Sequence, residues 1–158
     1  MLKKEKGFSL IELLLVLVLI GTMVAMTVNF SVRNKFRWSL RDTTREITST
    51  YYQAKQRAAR ENASIRLEVR ADGYAIYRNN AGAWEVVKGE VYPEKVTATV
   101  PADFKINPMG FILDPGVLNN TMLGTQTITL TAPHGADIDS MTITIYPYGG
   151  LRVEKAFK

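Results

Sequence analysis

A single carboxylate inside an apolar segment is the residue whose chemistry most needs explaining. The chain is almost wholly apolar from Phe8 to Val28, and Glu12 lies one helical turn inside this run. An ionised carboxylate in hydrocarbon costs about 3 kcal/mol on insertion scales, so such a residue normally has a positively charged partner. The nearest candidate partner is a positive charge near the start of the helix, held there by assembly.

Candidate catalytic residues are few. His134 is the only histidine, and it lies between Pro133 and Gly135. A catalytic triad or a histidine-rich zinc site needs further partners, and no motif in the sequence supplies them. The sequence also lacks a nucleophile elbow, a P-loop and a dinucleotide fingerprint. These residues indicate a loop histidine in a protein that is not an enzyme and needs no cofactor.

Three aspartates could bind a hard cation. Asp137 and Asp139 lie close together in the sequence, and Asp114 precedes them. Calcium takes clustered carboxylate oxygens, but a calcium loop usually offers more oxygen ligands at regular spacing. The favoured interpretation is therefore that these are solvated turn residues, with calcium binding as the alternative and no other metal expected.

Positive charge is concentrated in the N-terminal third of a chain whose formal net charge is +5. The basic residues between positions 31 and 60 are Arg33, Lys35, Arg37, Arg41, Arg45, Lys55, Arg57 and Arg60. The stretch from Arg33 to Arg45 could contact lipid headgroups, line a filament or bind nucleic-acid phosphates. In the C-terminal tail Glu154 interrupts Arg152, Lys155 and Lys158, so DNA contact there is an alternative and nucleic acid is not an expected partner.

The elements that position these residues begin with a long helix. An apolar stripe recurs at steps of four and three along Leu40, Thr44, Ile47, Tyr51, Ala54 and Ala58. Neither Gly nor Pro interrupts residues 22–72. We expect one helix from about Phe8 to Glu61 that stops at Asn62. Its first half suits lipid or a filament core, and its second half suits packing on a domain.

Beyond Asn62 the hydrophobic period changes to two, which is typical of strands. This alternation is found in residues 65–70, 127–131 and 141–146, and three further short runs next to turn signals are residues 74–77, 84–87 and 151–153. Turn signals separate them at Asp72-Gly73, Ala81-Gly82 and Gly149-Gly150. The stretch from Asn107 to Leu123 is rich in Gly, Pro and Asn and predicts a long surface loop. We expect an α+β fold in which an antiparallel sheet or small sandwich packs on the helix stripe.

Composition is consistent with this single-domain fold. The chain has 158 residues, and 46% of them are hydrophobic, so it can bury a core. Because it contains no cysteine, it can form neither a disulfide framework nor a thiolate metal site.

The start of the chain resembles a known processing signal. The sequence Gly7-Phe8-Ser9-Leu10-Ile11-Glu12 follows three lysines and precedes the apolar run. It resembles the cleavage motif of type IV prepilins and type II secretion pseudopilins, more closely than an ordinary membrane anchor or a secretory signal peptide. The resemblance implies that prepilin peptidase cuts between Gly7 and Phe8 and methylates the amine of Phe8. It also implies that Glu12 pairs with the N-terminal amine of a neighbouring subunit, which offsets the cost of burying both charges.

The same resemblance implies a domain organisation. Residues 1–7 would be the leader, and residues 8–30 a helix that spans the inner membrane once or fills the filament core. Residues 31–62 would continue that helix, and residues 63–158 would form a β-rich head in the periplasm.

Later motifs resemble one branch of this family. They are Ala59-Arg60 before the first strand, Asp114-Pro115-Gly116 in mid-domain, and the hairpin from Gly149 to Val153. This pattern is similar to the GspH/FimT-type minor pseudopilins. It implies a structural role in the tip or initiation complex of a type II secretion pseudopilus. The implied partners are other pilins or pseudopilins, the prepilin peptidase and the inner-membrane assembly platform. The alternative is a minor type IV pilin of a competence or adhesion pilus that binds DNA or a surface.

Overall fold

The computed structural model describes residues 9–80, 82–100, 102–116, 121–134 and 137–157, with the backbone alone for residues 27–33 and 134. The chain divides into an N-terminal unit, residues 1–35, and a head unit, residues 36–158. The helix α1 covers Leu10–Glu61 and contributes to both units. The strands that follow are β1 (Ile65–Val69), β2 (Gly73–Asn80), β3 (Ala83–Val91), β4 (Thr97–Val100), β5 (Ala102–Ile106), β6 (Ile112–Leu113), β7 (Gln126–His134), β8 (Asp137–Ile145) and β9 (Leu151–Ala156).

The N-terminal unit contains the first part of α1. The helix begins where the carbonyl of Ser9 accepts the N–H groups of Glu12 at 3.0 Å and Leu13 at 3.2 Å. The Glu12 carboxylate therefore lies in the first turn, where the helix dipole stabilises a negative charge. Within the described residues, no helical stretch combines the length and the hydropathy of a membrane-crossing segment.

The head unit contains the rest of α1, and its apolar stripe is the predicted one. Leu40, Ile47, Tyr51 and Ala58 are fully buried. The helix ends at Glu61 as predicted, because Asn62 adopts a positive φ of 48°. The N–H of Ala63 then donates to the carbonyl of Ala58 at 3.2 Å, which is the Schellman pattern of helix termination.

Two antiparallel sheets pack on this stripe. The first has the strand order β3-β2-β1-β5-β6 and the second has the order β4-β7-β8-β9. Inward residues of both sheets, such as Leu67 on β1 and Ile143 on β8, join the helix stripe in one core cluster. The predicted α+β fold and its hairpins at Asp72-Gly73 and Gly149-Gly150 are confirmed.

The long loop predicted from Asn107 to Leu123 is wrong in its middle part. Ile112 and Leu113 are buried and form β6, which pairs with Ile106 and Lys105 of β5. Leu113 also forms an isolated bridge with Met122. The Gly, Pro and Asn residues around β6 concealed it, because a two-residue strand offers too few positions to show a period. The strands β4 and β5 were also not predicted.

A salt bridge joins the far end of the helix to the first sheet. Arg57 donates through Nε to Glu61 Oε1 at 2.6 Å, and Nε of Arg78 on β2 lies 3.0 Å from Glu61 Oε2. The hydrogen bond from Arg57 is the main reason that the pKa of Glu61 is lowered. Arg78, near the end of β2, therefore lies beside the end of α1.

Candidate subunit-assembly site

The N-terminal unit exposes apolar side chains on every side of the helix. The large apolar residues from Leu10 to Met26 are between 42% and 81% exposed. A helix that is apolar all round is stable only when other apolar surface surrounds it, either lipid or neighbouring helices. This segment is therefore a surface that needs a partner.

Glu12 is the one charged group on that surface. The sequence has no other ionisable residue between Ser9 and Arg33, and the Glu12 side chain is exposed. A carboxylate at this position can pair with an amine from another helix when the apolar surfaces come together. It can also fix their register, because only one relative shift brings the two charges into contact. Gly7 and Phe8, the predicted cleavage and methylation residues, lie outside the described residues.

In the head unit a part-buried ion pair holds the helix to β8. Arg37 donates through Nε to Asp139 Oδ2 at 2.7 Å and through Nη2 to Oδ1 at 3.4 Å. Asp139 is only 1% exposed. Its hydrogen bond is the main reason that the pKa of Arg37 is raised. This pair fixes the first turns of the helix in the head unit.

Two comparisons with known proteins bear on this arrangement. Residues 2–28 match the prokaryotic N-terminal methylation motif. The structure is similar to that of the type IV minor pilin FimU of Pseudomonas aeruginosa strain PAO1, with a TM-score of 0.54 and 14% sequence identity. The similarity covers 75% of this chain and 90% of that chain.

The chain carries the N-terminal methylation motif of type IV pilin-like proteins and has a pilin-like fold. The resemblance drawn from residues 7–12 is thereby confirmed, and so is the pilin fold. No curated protein sequence matches the chain significantly. Cleavage after Gly7, methylation of Phe8 and pairing through Glu12 stay predictions.

The three aspartates predicted as an alternative calcium site lie apart in this pilin-like head. Asp114 follows β6 of the first sheet, and its Oδ1 accepts the N–H of Gly116 at 2.8 Å in a turn. Asp137 and Asp139 lie on β8 of the second sheet, where Asp139 binds Arg37. Among the described residues, no three His, Cys, Asp or Glu side chains are placed to hold a metal ion.

The basic tail does not form one patch. Arg152 and Lys155 lie on opposite faces of β9, because their spacing is odd and strand side chains alternate. Arg152 pairs with Glu154 at 2.9 Å, while Lys155 faces α1. Lys158 lies outside the described residues, as does the side chain of His134. The structure therefore separates the predicted DNA contacts.

Sequence reasoning missed a polar network between the helix and the first sheet. The Tyr74 hydroxyl donates to Glu46 Oε1 at 2.8 Å and accepts a hydrogen bond from Lys88 Nζ at 3.1 Å. Lys88 also lies 2.9 Å from Glu90. Burial raises the pKa of Tyr74, and the hydrogen bond to Glu90 raises the pKa of Lys88. The sequence signal that could have indicated this network is Glu46, an acidic residue on a mainly basic helical segment.

Proposed function

We propose that the protein is a structural minor pilin, a low-copy subunit of a type IV pilus-class filament with no catalytic activity. One observation supports this most directly: a helix with apolar residues exposed on every side carries a single carboxylate one turn from its start. That arrangement suits subunits whose helices pack side by side. The similarity to FimU, itself described as a type IV minor pilin, favours a minor pilin within the filament class.

In this proposal the chain begins as a precursor held in the inner membrane. Prepilin peptidase removes residues 1–7 and methylates the amine of Phe8. The new amine of one subunit then meets Glu12 of the next as the assembly platform adds subunits. Each charge alone would be costly in an apolar core, and pairing offsets both costs. The head unit remains on the periplasmic side, where the Arg37–Asp139 pair joins its helix to β8.

The test removes the carboxylate. In Glu12→Ala, we expect membrane insertion and leader cleavage to continue, while co-purification with partner pilins falls severely. Thr22→Ala is a matched control on the same helix, because the Thr22 hydroxyl already donates to its own helix at Leu19 O, 2.9 Å away. If Glu12→Ala co-purified with its partners as well as Thr22→Ala did, the pairing role would be rejected.

A second candidate is a minor pseudopilin in the tip or initiation complex of a type II secretion pseudopilus. It is favoured by the GspH/FimT-type pattern, above all the closing hairpin from Gly149 to Val153. Deletion of the gene separates the two candidates. If the deletion removes surface pili and protein secretion continues, the minor pilin is supported. If pili persist and proteins that are normally secreted stay inside the cell envelope, the pseudopilin is supported.

A further inference from the structure

The last strand of the second sheet has a free edge. β9 pairs with β8 from Leu151 to Ala156 without a register shift, and no described strand lies on its other side. Such an edge offers unpaired N–H and C=O groups to an added strand. The opposite edge strand, β4, is less suitable because its pairing with β7 shifts between Ala98 and Val100. The β9 edge is therefore the regular open edge of this sheet.

A cleft of about 380 Å³ lies between the β9 edge and α1. Its apolar surface comes from Met141 on β8, Val153 on β9 and Tyr52 on the helix. Val153 is 37% exposed and Tyr52 is 46% exposed, so part of this surface is uncovered. A strand added next to β9 would place alternate side chains over it.

The cleft is also positively charged. Arg41, Arg45 and Lys155 line it, and its described lining includes no carboxylate. Arg45 lies 3.7 Å from Asp42, but both side chains are mostly exposed, so this pair is weak. Lys155 pairs across the sheet with buried Met141 and therefore projects to the same face, toward the helix. An inward lysine discourages pairing by an apolar strand. A strand with a carboxylate opposite the lysine would form a favourable cross-strand pair.

Arg37 and Arg41 lie one turn apart on α1 but differ in their hydrogen-bond partners. The guanidinium groups of Arg37 and Arg41 both stack on Phe157, at 5.4 Å and 5.0 Å from the ring centre. Arg37 binds Asp139, whereas the buried Nε of Arg41 has no hydrogen-bond partner among the described residues. A buried donor of a charged group is costly when unsatisfied, and a carboxylate is its strongest acceptor.

We propose that the cleft between α1 and β9 accepts an extended acidic segment of a neighbouring subunit. The segment pairs with the free edge of β9 as a fifth strand of the second sheet. One of its carboxylates binds Arg41, and its apolar side chains on the same face cover Val153 and Tyr52. That the segment comes from a neighbouring subunit rests on the proposed function. The preference of the cleft for an acidic strand follows from its own residues.

The test uses the full-length protein in detergent micelles and a blocked, fluorescent peptide of alternating threonine and valine with one central glutamate. We expect saturable binding, and slower hydrogen exchange of the amides of residues 151–156 when the peptide is bound. Arg41→Gln should weaken binding about tenfold, the loss of one charge-assisted hydrogen bond. Arg60→Gln is the matched control, because Arg60 lies on the same helix but lines a different cleft, so affinity should not change.

Several results would overturn the proposal. They are equal binding of the peptide with lysine in place of glutamate, unchanged exchange at residues 151–156 in the wild-type protein, and equal losses in Arg41→Gln and Arg60→Gln. Displacement of the peptide by single-stranded DNA with equal affinity and a steep salt dependence would assign the cleft to nucleic acid instead.

Failure of the cleft and failure of the minor-pilin role are distinguishable. Glu12→Ala should still bind the peptide, because Glu12 lies in the N-terminal unit. If the peptide does not bind while Glu12→Ala still loses its partner pilins, the cleft is rejected and the assembly role remains. If the peptide binds but Glu12→Ala keeps its partner pilins, the assembly role of Glu12 is rejected and the cleft remains.

Discussion

Ile20 and Ile47 belong to the same helix, yet the first is 52% exposed and the second is fully buried. The head unit supplies its own apolar partners from two sheets, whereas the N-terminal unit exposes apolar residues on all sides. The charges differ in the same way, because Arg37 meets Asp139 within the head and Glu12 is a lone charge on its helical segment. The comparison teaches that one half of α1 buries its apolar residues within the head, whereas the other half exposes apolar residues that its own unit does not cover.

The largest expected effect concerns the buried ion pair. Arg37→Ala should lower the free energy of unfolding of the head by about 4 kcal/mol, because it removes the guanidinium that binds the Asp139 carboxylate, which is only 1% exposed. Chemical denaturation followed by circular dichroism measures it. Asp42→Ala is the control, since the exposed Asp42–Arg45 pair should contribute less than about 0.5 kcal/mol. Equal effects would mean that burial does not separate the two pairs.

The next prediction applies related truncations to both halves of the helix. Ile47→Ala should cost about 3 kcal/mol of unfolding free energy, because it leaves a cavity in the core. Ile20→Ala should change unfolding by less than about 0.5 kcal/mol and instead weaken co-purification with partner pilins. Denaturation and pull-down of both variants measure these effects. A destabilised head in Ile20→Ala would contradict the division of roles.

A smaller effect is expected for an acid that is partnered within the head. Glu68 accepts hydrogen bonds from Arg70 at 2.9 Å and from Tyr77 at 2.7 Å, and mainly the first lowers the pKa of Glu68 to about 2. Since the folded pKa lies below the ordinary value, this stability is present above about pH 4.5 and is lost as pH falls toward 2. Glu68→Gln should cost about 1 kcal/mol at pH 7, discounted for partial exposure.

Unfolding curves at pH 7 and pH 3 check this prediction. The difference in unfolding free energy between the wild type and Glu68→Gln should be smaller at pH 3. Glu12→Gln is the contrasting variant, because it should leave head unfolding unchanged at both values. A constant gap would mean that the Glu68 carboxylate does not ionise as expected.

The smallest effect concerns Tyr51. Its hydroxyl is buried without a hydrogen-bond partner among the described residues, and burial raises the pKa of Tyr51 to about 12. Tyr51→Phe should therefore change stability at pH 7 by less than about 0.5 kcal/mol. Because the raised pKa favours the neutral form, wild-type stability should fall between about pH 10 and 12, and this fall should be smaller in the variant. The free energies of unfolding of the wild type and Tyr51→Phe are measured at pH 8 and pH 11. If both proteins lose the same stability between these values, Tyr51 does not cause the loss.

The sequence predicted the elements that repeat a period over several turns or residues. Leu40, Ile47 and Tyr51 recur at helical steps, and Ile65, Leu67 and Val69 alternate, so both elements were found. The strand β5 was missed although Ala102, Phe104 and Ile106 alternate with Asp103 and Lys105 in the same way. Arg66 offsets Asp103 by pairing with it at 2.6 Å, which only the fold reveals.

The candidate site was predictable only where it is local. Glu12 stands out because its apolar neighbours adjoin it in sequence. Arg37 and Asp139 are 102 positions apart, and nothing near either residue indicates the other. The cleft beside β9 depends on which strand ends the second sheet, and this follows from the pairing of all four strands.

The stacking of Phe157 on Arg37 and Arg41 has a practical consequence for labelling. Any reporter fused after Phe157 would emerge beside the first turns of the head helix and next to the proposed acceptor cleft. Arg78, near the end of β2, lies by contrast beside Glu61, about 36 Å along the helix from Arg37 at the standard rise. A small epitope inserted between β2 and β3 would therefore report the protein in cells and leave the cleft accessible.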